Sequence, residues 1–183
     1  GNVDSALWNR NTHKINGEQF QRMNSAYHEL VSKNAIFNDM PRITLSSLRA
    51  KATAYKSRDN IQIIFIDYIQ LLSGGNKFKS KYEEITHISQ QLKIMAKELN
   101  IPIVALAQLN RQAVQTKETE PRISDLRDSG SLEQDADEIF LLHSNEEVAN
   151  RLKVILAKNR FGETGKFDLY FDKGPGRIGS LVH

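Results

Sequence analysis

Four stretches of the sequence set chemically capable side chains at the ends of apolar runs. Ile61-Gln62-Ile63-Ile64-Phe65-Ile66 is followed by Asp67 and Tyr68. In open α/β sheets, ligands gather at the carboxyl ends of strands. A carboxylate there can hold Mg²⁺, directly or through water, beside a nucleotide's phosphates, which is the Walker B pattern. An Asp after a strand also serves simply to open a turn. Leu106-Ala107-Gln108-Leu109-Asn110-Arg111 puts an amide and a guanidinium after the next such run. The Gln108 amide can hydrogen-bond a terminal phosphate oxygen and so report its presence, or it is only a polar strand end entering a loop.

The third stretch runs from Ser124 to Asp137 and contains Arg127, Asp128 and Gly130. Ser131 and Gln134 fit the Ser-x-x-Gln capping box, which predicts that a helix begins there. Free amides at a helix start, beside a glycine that admits close approach, suit an anion, and Arg127 adds a positive charge. The plain alternative is a capped helix on a solvated acidic surface. In the fourth stretch, Ala157-Lys158-Asn159-Arg160-Phe161-Gly162, two cations alternate after a strand and so point to one side. Such a pair could reach a γ-phosphate across a subunit boundary, as an arginine finger does. It could equally be a charged edge that resists aggregation.

A phosphate loop is missing from this set. None of the 10 glycines opens a G-x-x-x-x-G-K-S/T sequence. Gly162–Lys166 comes nearest, but Arg160 stands where the first glycine belongs and Phe167 where Ser or Thr belongs. No Ser, His and acid stand at hydrolase spacing. His13, His28, His87, His143 and His183 are too scattered to predict a metal site.

These side chains need elements to carry them. Phe20, Met23, Tyr27 and Leu30 step at helical spacing, and so do Leu45, Leu48, Ala52 and Tyr55, with Thr44 placed to cap the second series. Ile85, Ile88, Leu92, Met95 and Leu99 mark a third helix that Asn100 and Pro102 end. Strands are expected at 35–37, 61–66, 101–107, 138–142, 152–157 and 166–171, with that at 61–66 buried on both faces and that at 101–107 buried as well. Residues 179–183 are assigned no element. The polar stretch from Asn110 to Asp125 is longer than an ordinary connection, as functional loops are. The order of elements predicts an α/β domain with a largely parallel sheet.

Composition narrows the classes further. A chain of 183 residues that is 39% hydrophobic and 26% charged suits one globular domain. With no cysteine there is no disulfide scaffold, thiolate metal site or Cys nucleophile, and a reducing cytosol is permitted. No apolar run approaches a membrane span. Residues 1–60 carry 9 basic and 5 acidic side chains, and residues 111–183 carry 11 and 13. No basic block drives binding by bulk charge, so any nucleic acid must be held by a few placed groups.

Taken in order, the strings I-I-F-I-D-Y-I-Q-L-L, A-L-A-Q-L-N-R, S-D-L-R-D-S-G-S-L-E-Q-D-A-D and A-K-N-R-F-G-E-T-G resemble the bacterial replicative DNA helicase family, DnaB. The resemblance spans Ser5 to Ile178. It implies a RecA-like ATPase domain, a mostly parallel sheet flanked by helices, assembled as a homo-hexamer around single-stranded DNA. It implies ATP and Mg²⁺ as cofactors of the intact protein, primase and a helicase loader as partners, and a cytoplasmic, membrane-free setting. By the same resemblance Asp67 is the Mg²⁺-associated carboxylate and Gln108 the sensor of phosphate state. Arg127, Asp128 and Gly130 match a loop that contacts the DNA backbone, and Lys158 and Arg160 a finger pair reaching the neighbouring subunit's nucleotide. Ala107 stands where the family often has Ser, and Asp128 where it often has Glu.

The family's phosphate loop, its catalytic glutamate and its primase-engaging domain lie N-terminal to the first residue here. Residues 1–183 are therefore expected to be the C-terminal portion of the ATPase domain, truncated before the phosphate-loop strand, with exposed sheet edges and no ATPase activity alone. Two other readings stay open: a RecA-type recombinase fragment, against which the S-G-S-L-E-Q-D-A-D string speaks, and a non-catalytic module that joins or modulates a helicase ring.

Overall fold

The computed structural model describes residues 16–75, 77–110, 120–126, 130–144 and 148–181. The chain forms two compact units, one of residues 40–141 with 156–165, the other of 1–39, 142–155 and 166–183.

The first unit holds the candidate site. It opens with strand β1 (Ile43–Thr44) and helix α1 (Leu45–Asp59), where the Thr44 hydroxyl accepts from the Ser47 N–H at 3.2 Å. Asn60, at φ 50°, ends α1 in the left-handed conformation that asparagine tolerates. Strand β2 (Ile64–Ile66) follows, then a short 3₁₀ turn, Ile69–Leu71, and β3 (Leu72–Ser73). Helix α2 (Lys81–Leu99) is capped by Ser80, which accepts from the Glu83 N–H at 3.2 Å. Glu83 and Glu84 in its first turn and Lys97 in its last complement the helix dipole.

The core of this unit sits under α2. Ile85, Ile88 and Met95 are fully buried and cluster with Leu45, Ala52, Ile66, Ile69, Leu72 and Leu92. Each buried Ile, Leu or Met side chain of this set stabilises by about 1.5–3 kcal/mol. Strand β4 (Ile103–Ala105) pairs parallel with β2 in the register Ile64↔Ile103, Phe65↔Val104 and Ile66↔Ala105, and β1 pairs parallel with β3. Helix α3 (Gly130–Asp135) packs on α2, with Leu132 against the core.

Strands β5 (Glu138–His143), β6 (Arg151–Asn159), β7 (Gly165–Asp172) and β8 (Arg177–Ser180) follow in the order β5-β6-β7-β8. The second unit contains the β7–β8 hairpin, antiparallel from Leu169↔Ser180 to Asp172↔Arg177, and the Arg151–Asp168 ion pair at 3.5 Å. It also contains the helix Gly17–Ser32, closed at its start by a reciprocal capping box between Asn16 and Gln19.

The fold is α/β with parallel strand pairs, as the element order predicts, but several details differ. Residues 35–37 are not a strand: they carry no ladder, and Phe37 is exposed. The strands expected at 61–66 and 101–107 contract to Ile64–Ile66 and Ile103–Ala105. They are not buried on both faces, since Phe65 is 67% exposed and Val104 and Leu106 are exposed as well. An apolar run predicts burial only where a covering layer exists, and α2 covers one side of this pair. Strand β8 has no counterpart among the strands expected from the sequence. Among the described strands, β1 with β3 and β2 with β4 pair parallel, and the β7–β8 hairpin adds antiparallel pairing.

Candidate functional site

Asp67 and Gln108 come to the same edge because β2 and β4 are parallel neighbours. The ladder continues past both strands: the Leu106 N–H donates to the Ile66 carbonyl at 2.9 Å, and the Ile69 N–H to the Leu106 carbonyl at 2.9 Å. Asp67 therefore lies between two backbone ties to the segment that leads into Gln108. Both side chains are exposed. Among the described residues Asp67 makes no hydrogen bond or ion pair, which leaves its oxygens open to an external cation. No group of three or more His, Asp or Glu among the described residues could enclose a metal. A single free carboxylate instead fits Mg²⁺, which keeps several waters and enters with substrate phosphates.

Directly beyond Gln108 the chain closes on itself. Leu109 bridges Leu126 in antiparallel fashion, and the Asn110 N–H donates to the Asp125 carbonyl at 2.8 Å. The two ends of the polar stretch are thus pinned together at its base. Asp125 also accepts from the Arg122 N–H at 2.7 Å, within a 3₁₀ turn at Ile123–Asp125. Arg127 and Asp128 fall outside the described residues.

Gly130 opens α3, where a Cβ would stand 3.3 Å from the Tyr82 hydroxyl. Ser131 does not cap this helix. It lies inside α3, buried, and its Oγ has no hydrogen-bond partner among the described residues. The S-x-x-Q spacing matches a capping box, but the helix is already under way at that point.

Lys158 and Arg160, at the end of β6, both reach the C-terminal end of α3. Lys158 Nζ donates to the carbonyls of Glu133, Gln134 and Ala136, the last two at 3.4 and 2.7 Å. Arg160 Nη2 donates to the Gln134 carbonyl at 3.1 Å, and Nη1 pairs with Asp137 Oδ1 at 3.1 Å. Asn159, between them, is engaged elsewhere: it donates to the Glu163 carbonyl and accepts from the Phe161 N–H. Cations at a helix C-terminus satisfy free carbonyls and the dipole together.

Asp137, the last residue of the Ser124–Asp137 stretch but given no role from the sequence, and Lys93, which belongs to no motif, complete this cluster. Lys93, on α2, pairs with Asp137 Oδ2 at 2.5 Å. The Asp137 carboxyl is held below its ordinary value, first by the hydrogen bond from Lys93 and further by the charges of Lys93, Arg160 and Lys158. The sequence holds no signal for Lys93, whose helical neighbours Ser89, Gln90, Ala96 and Lys97 make an ordinary polar face. Among the described residues, no hydrogen bond or ion pair joins Asp67 or Gln108 to Lys158 or Arg160. The candidate residues form two separate groups.

Comparison with known proteins gives these groups a context. The family of the DnaB-like helicase C terminal domain matches residues 2–179. A Rickettsia typhi protein named replicative DNA helicase DnaB is 33% identical over 193 residues, covering 93% of this chain and 39% of its own. The Mycoplasma pneumoniae protein of that name is 38% identical, covering 86% and 38%. A solved DnaB-like replicative helicase, described together with its interactions with primase, is 31% identical with a TM-score of 0.86, covering 98% of this chain and 45% of that one. A solved ATPase domain gives the same TM-score of 0.86 at 30% identity, covering 98% and 66%. The chain spans about two fifths of the length of the curated relatives it matches.

Proposed function

The chain belongs to the DnaB-like helicase C-terminal domain family, and from that premise we propose that it is the C-terminal portion of an ATPase domain in a replicative helicase. That helicase forms a homo-hexameric ring, moves along single-stranded DNA and unwinds duplex at the cost of ATP. Asp67 is the carboxylate that would hold the Mg²⁺ of a bound nucleotide, whose charge the metal neutralises. Gln108 senses the terminal phosphate. Its neighbour in the chain is the pinned base of the Asn110–Asp125 loop, so a shift at Gln108 is delivered to DNA-facing segments.

Arg127, Asp128 and Gly130 contact the DNA backbone, and Lys158 and Arg160 serve the nucleotide of the adjacent subunit. The separation of the candidates into two groups supports this division, with one set for the subunit's own nucleotide and one for its neighbour's. Primase and a helicase loader are its partners in the cytoplasm. Residues 1–183 alone do not turn over ATP, because they offer no preorganised phosphate loop. A RecA-type recombinase reading draws no support from the family match.

The observation that carries the proposal is the placement of Asp67 and Gln108 at one edge of a parallel pair, with the pairing of Leu109 and Asn110 to Leu126 and Asp125 following directly. Asp67→Asn in the intact helicase tests it. Rings should form normally, while Mg²⁺-dependent ATP turnover falls by roughly a hundredfold or more, as for loss of a principal electrostatic group. Turnover at the unaltered rate would refute the assignment.

A further inference from the structure

Arg160 is held within its own chain by a charged group from outside its strand. The Arg160 guanidinium meets Asp137 Oδ1 at 3.1 Å and the Gln134 carbonyl at 3.1 Å, and the Arg160 N–H donates to the Asp137 carbonyl at 2.9 Å. Side chain and backbone are therefore both fixed on one residue. Capping of α3 does not need this arrangement, because Lys158 already serves three carbonyls there. Asp137 is itself anchored: Lys93 takes its other oxygen at 2.5 Å, from a helix whose Leu92 and Met95 lie in the core. Lys93 also shares the carboxylate charge, so Asp137 orients Arg160 without fully cancelling it.

A guanidinium has several N–H groups in a rigid plane, and two contacts on one edge leave the others, Nε included, for a second acceptor. An untethered arginine samples many rotamers, and ordering it only at the moment of reaction costs rate. We propose that Asp137, anchored by Lys93, is the positioning residue that presents the Arg160 guanidinium to the nucleotide of the adjacent subunit. This rests on the reading of Arg160 as a group acting in the neighbouring subunit. Asp137 touches no substrate and acts only through Arg160.

The test uses mixed rings of the intact helicase. Asp137→Asn should form rings and leave the KM for ATP nearly unchanged, while kcat falls by roughly ten- to hundredfold, the range for a misplaced reacting group. Asp137→Glu should recover part of that loss. Mixing Asp137→Asn with a variant lacking its phosphate-loop lysine should restore turnover, since some interfaces then join an intact loop to an intact finger. Mixing Asp137→Asn with Arg160→Ala should restore none. Recovery in that second mixture, no recovery in the first, or an unchanged kcat would overturn the proposal. If Asp137→Asn does not form rings, Asp137→Glu replaces it in both mixtures, and the same results support or overturn the proposal. Arg160→Ala mixed with the lysine variant is the control. Failure to recover there refutes the trans action of Arg160 itself, whereas recovery there with Asp137 behaving otherwise refutes only the positioning role.

Discussion

Asp137 and Arg160 are joined twice, by an ion pair at 3.1 Å and by a backbone hydrogen bond at 2.9 Å from the Arg160 N–H to the Asp137 carbonyl. The turn after α3 and the end of β6 are thereby locked to each other. Lys93 extends the lock to α2, the helix that carries Ile85, Ile88, Leu92 and Met95 of the core.

This lock has a pH signature. The Asp137 carboxyl is held below its ordinary value by Lys93 and then by the other cations. A depressed carboxyl contributes stability that is present above its unfolded value and lost as pH falls through the folded one. Asp137→Asn should cost about 0.5 kcal/mol near neutrality, as partly exposed pairs do. The difference from the parent chain should vanish well below the usual carboxylate range. Urea denaturation of both chains across that range measures it, and a gap that persists in acid contradicts the assignment.

Ile88 is fully buried at the centre of the core under α2. Ile88→Ala should therefore destabilise the chain by about 2–5 kcal/mol, combining lost transfer energy with a cavity. The denaturation midpoint should fall with little change in the urea dependence.

Arg160→Ala in the intact helicase should leave ring formation and nucleotide binding largely in place. Turnover should drop by roughly a thousandfold or more, the range for a finger that meets transition-state charge. Steady-state kinetics with a parallel sizing measurement separates this from failed assembly.

Arg127, three residues before Gly130 in the chain, carries a guanidinium that suits a phosphate and has no fixed base edge to address. Arg127→Ala should weaken binding to oligo-dT and to mixed-sequence single strands alike, and lower the salt slope by about one. A defect confined to certain sequences would show that this loop reads bases.

Local patterns in the sequence foretell much of this structure. The period of Ile85, Ile88, Leu92 and Met95 predicts α2 and its buried face, because helical spacing and burial coincide there. Alternation places Lys158 and Arg160 together, and both do reach the end of α3. What local pattern misses is tertiary. Phe65 is apolar yet exposed, since the run Ile61–Ile66 says nothing of which layers cover a strand. Ser131 fits a capping spacing but is buried inside its helix, a state set by α2 rather than by its neighbours in the chain. Asp137 and Lys93 stand far apart in sequence, and no local pattern pairs them.

The central claim is that Gln108 couples the state of the nucleotide to the grip on DNA. Coupling of this kind is reciprocal, so it appears as a dependence of DNA affinity on the bound nucleotide. Single-stranded DNA affinity of the intact helicase should be measured with a non-hydrolysable ATP analogue and with ADP, for the parent and for Gln108→Ala. The expected result is a difference of roughly fivefold or more between the two nucleotides in the parent, within the usual range of coupling between sites. In Gln108→Ala the two affinities should converge while DNA is still bound. A variant that retains the parent's full difference would contradict the claim.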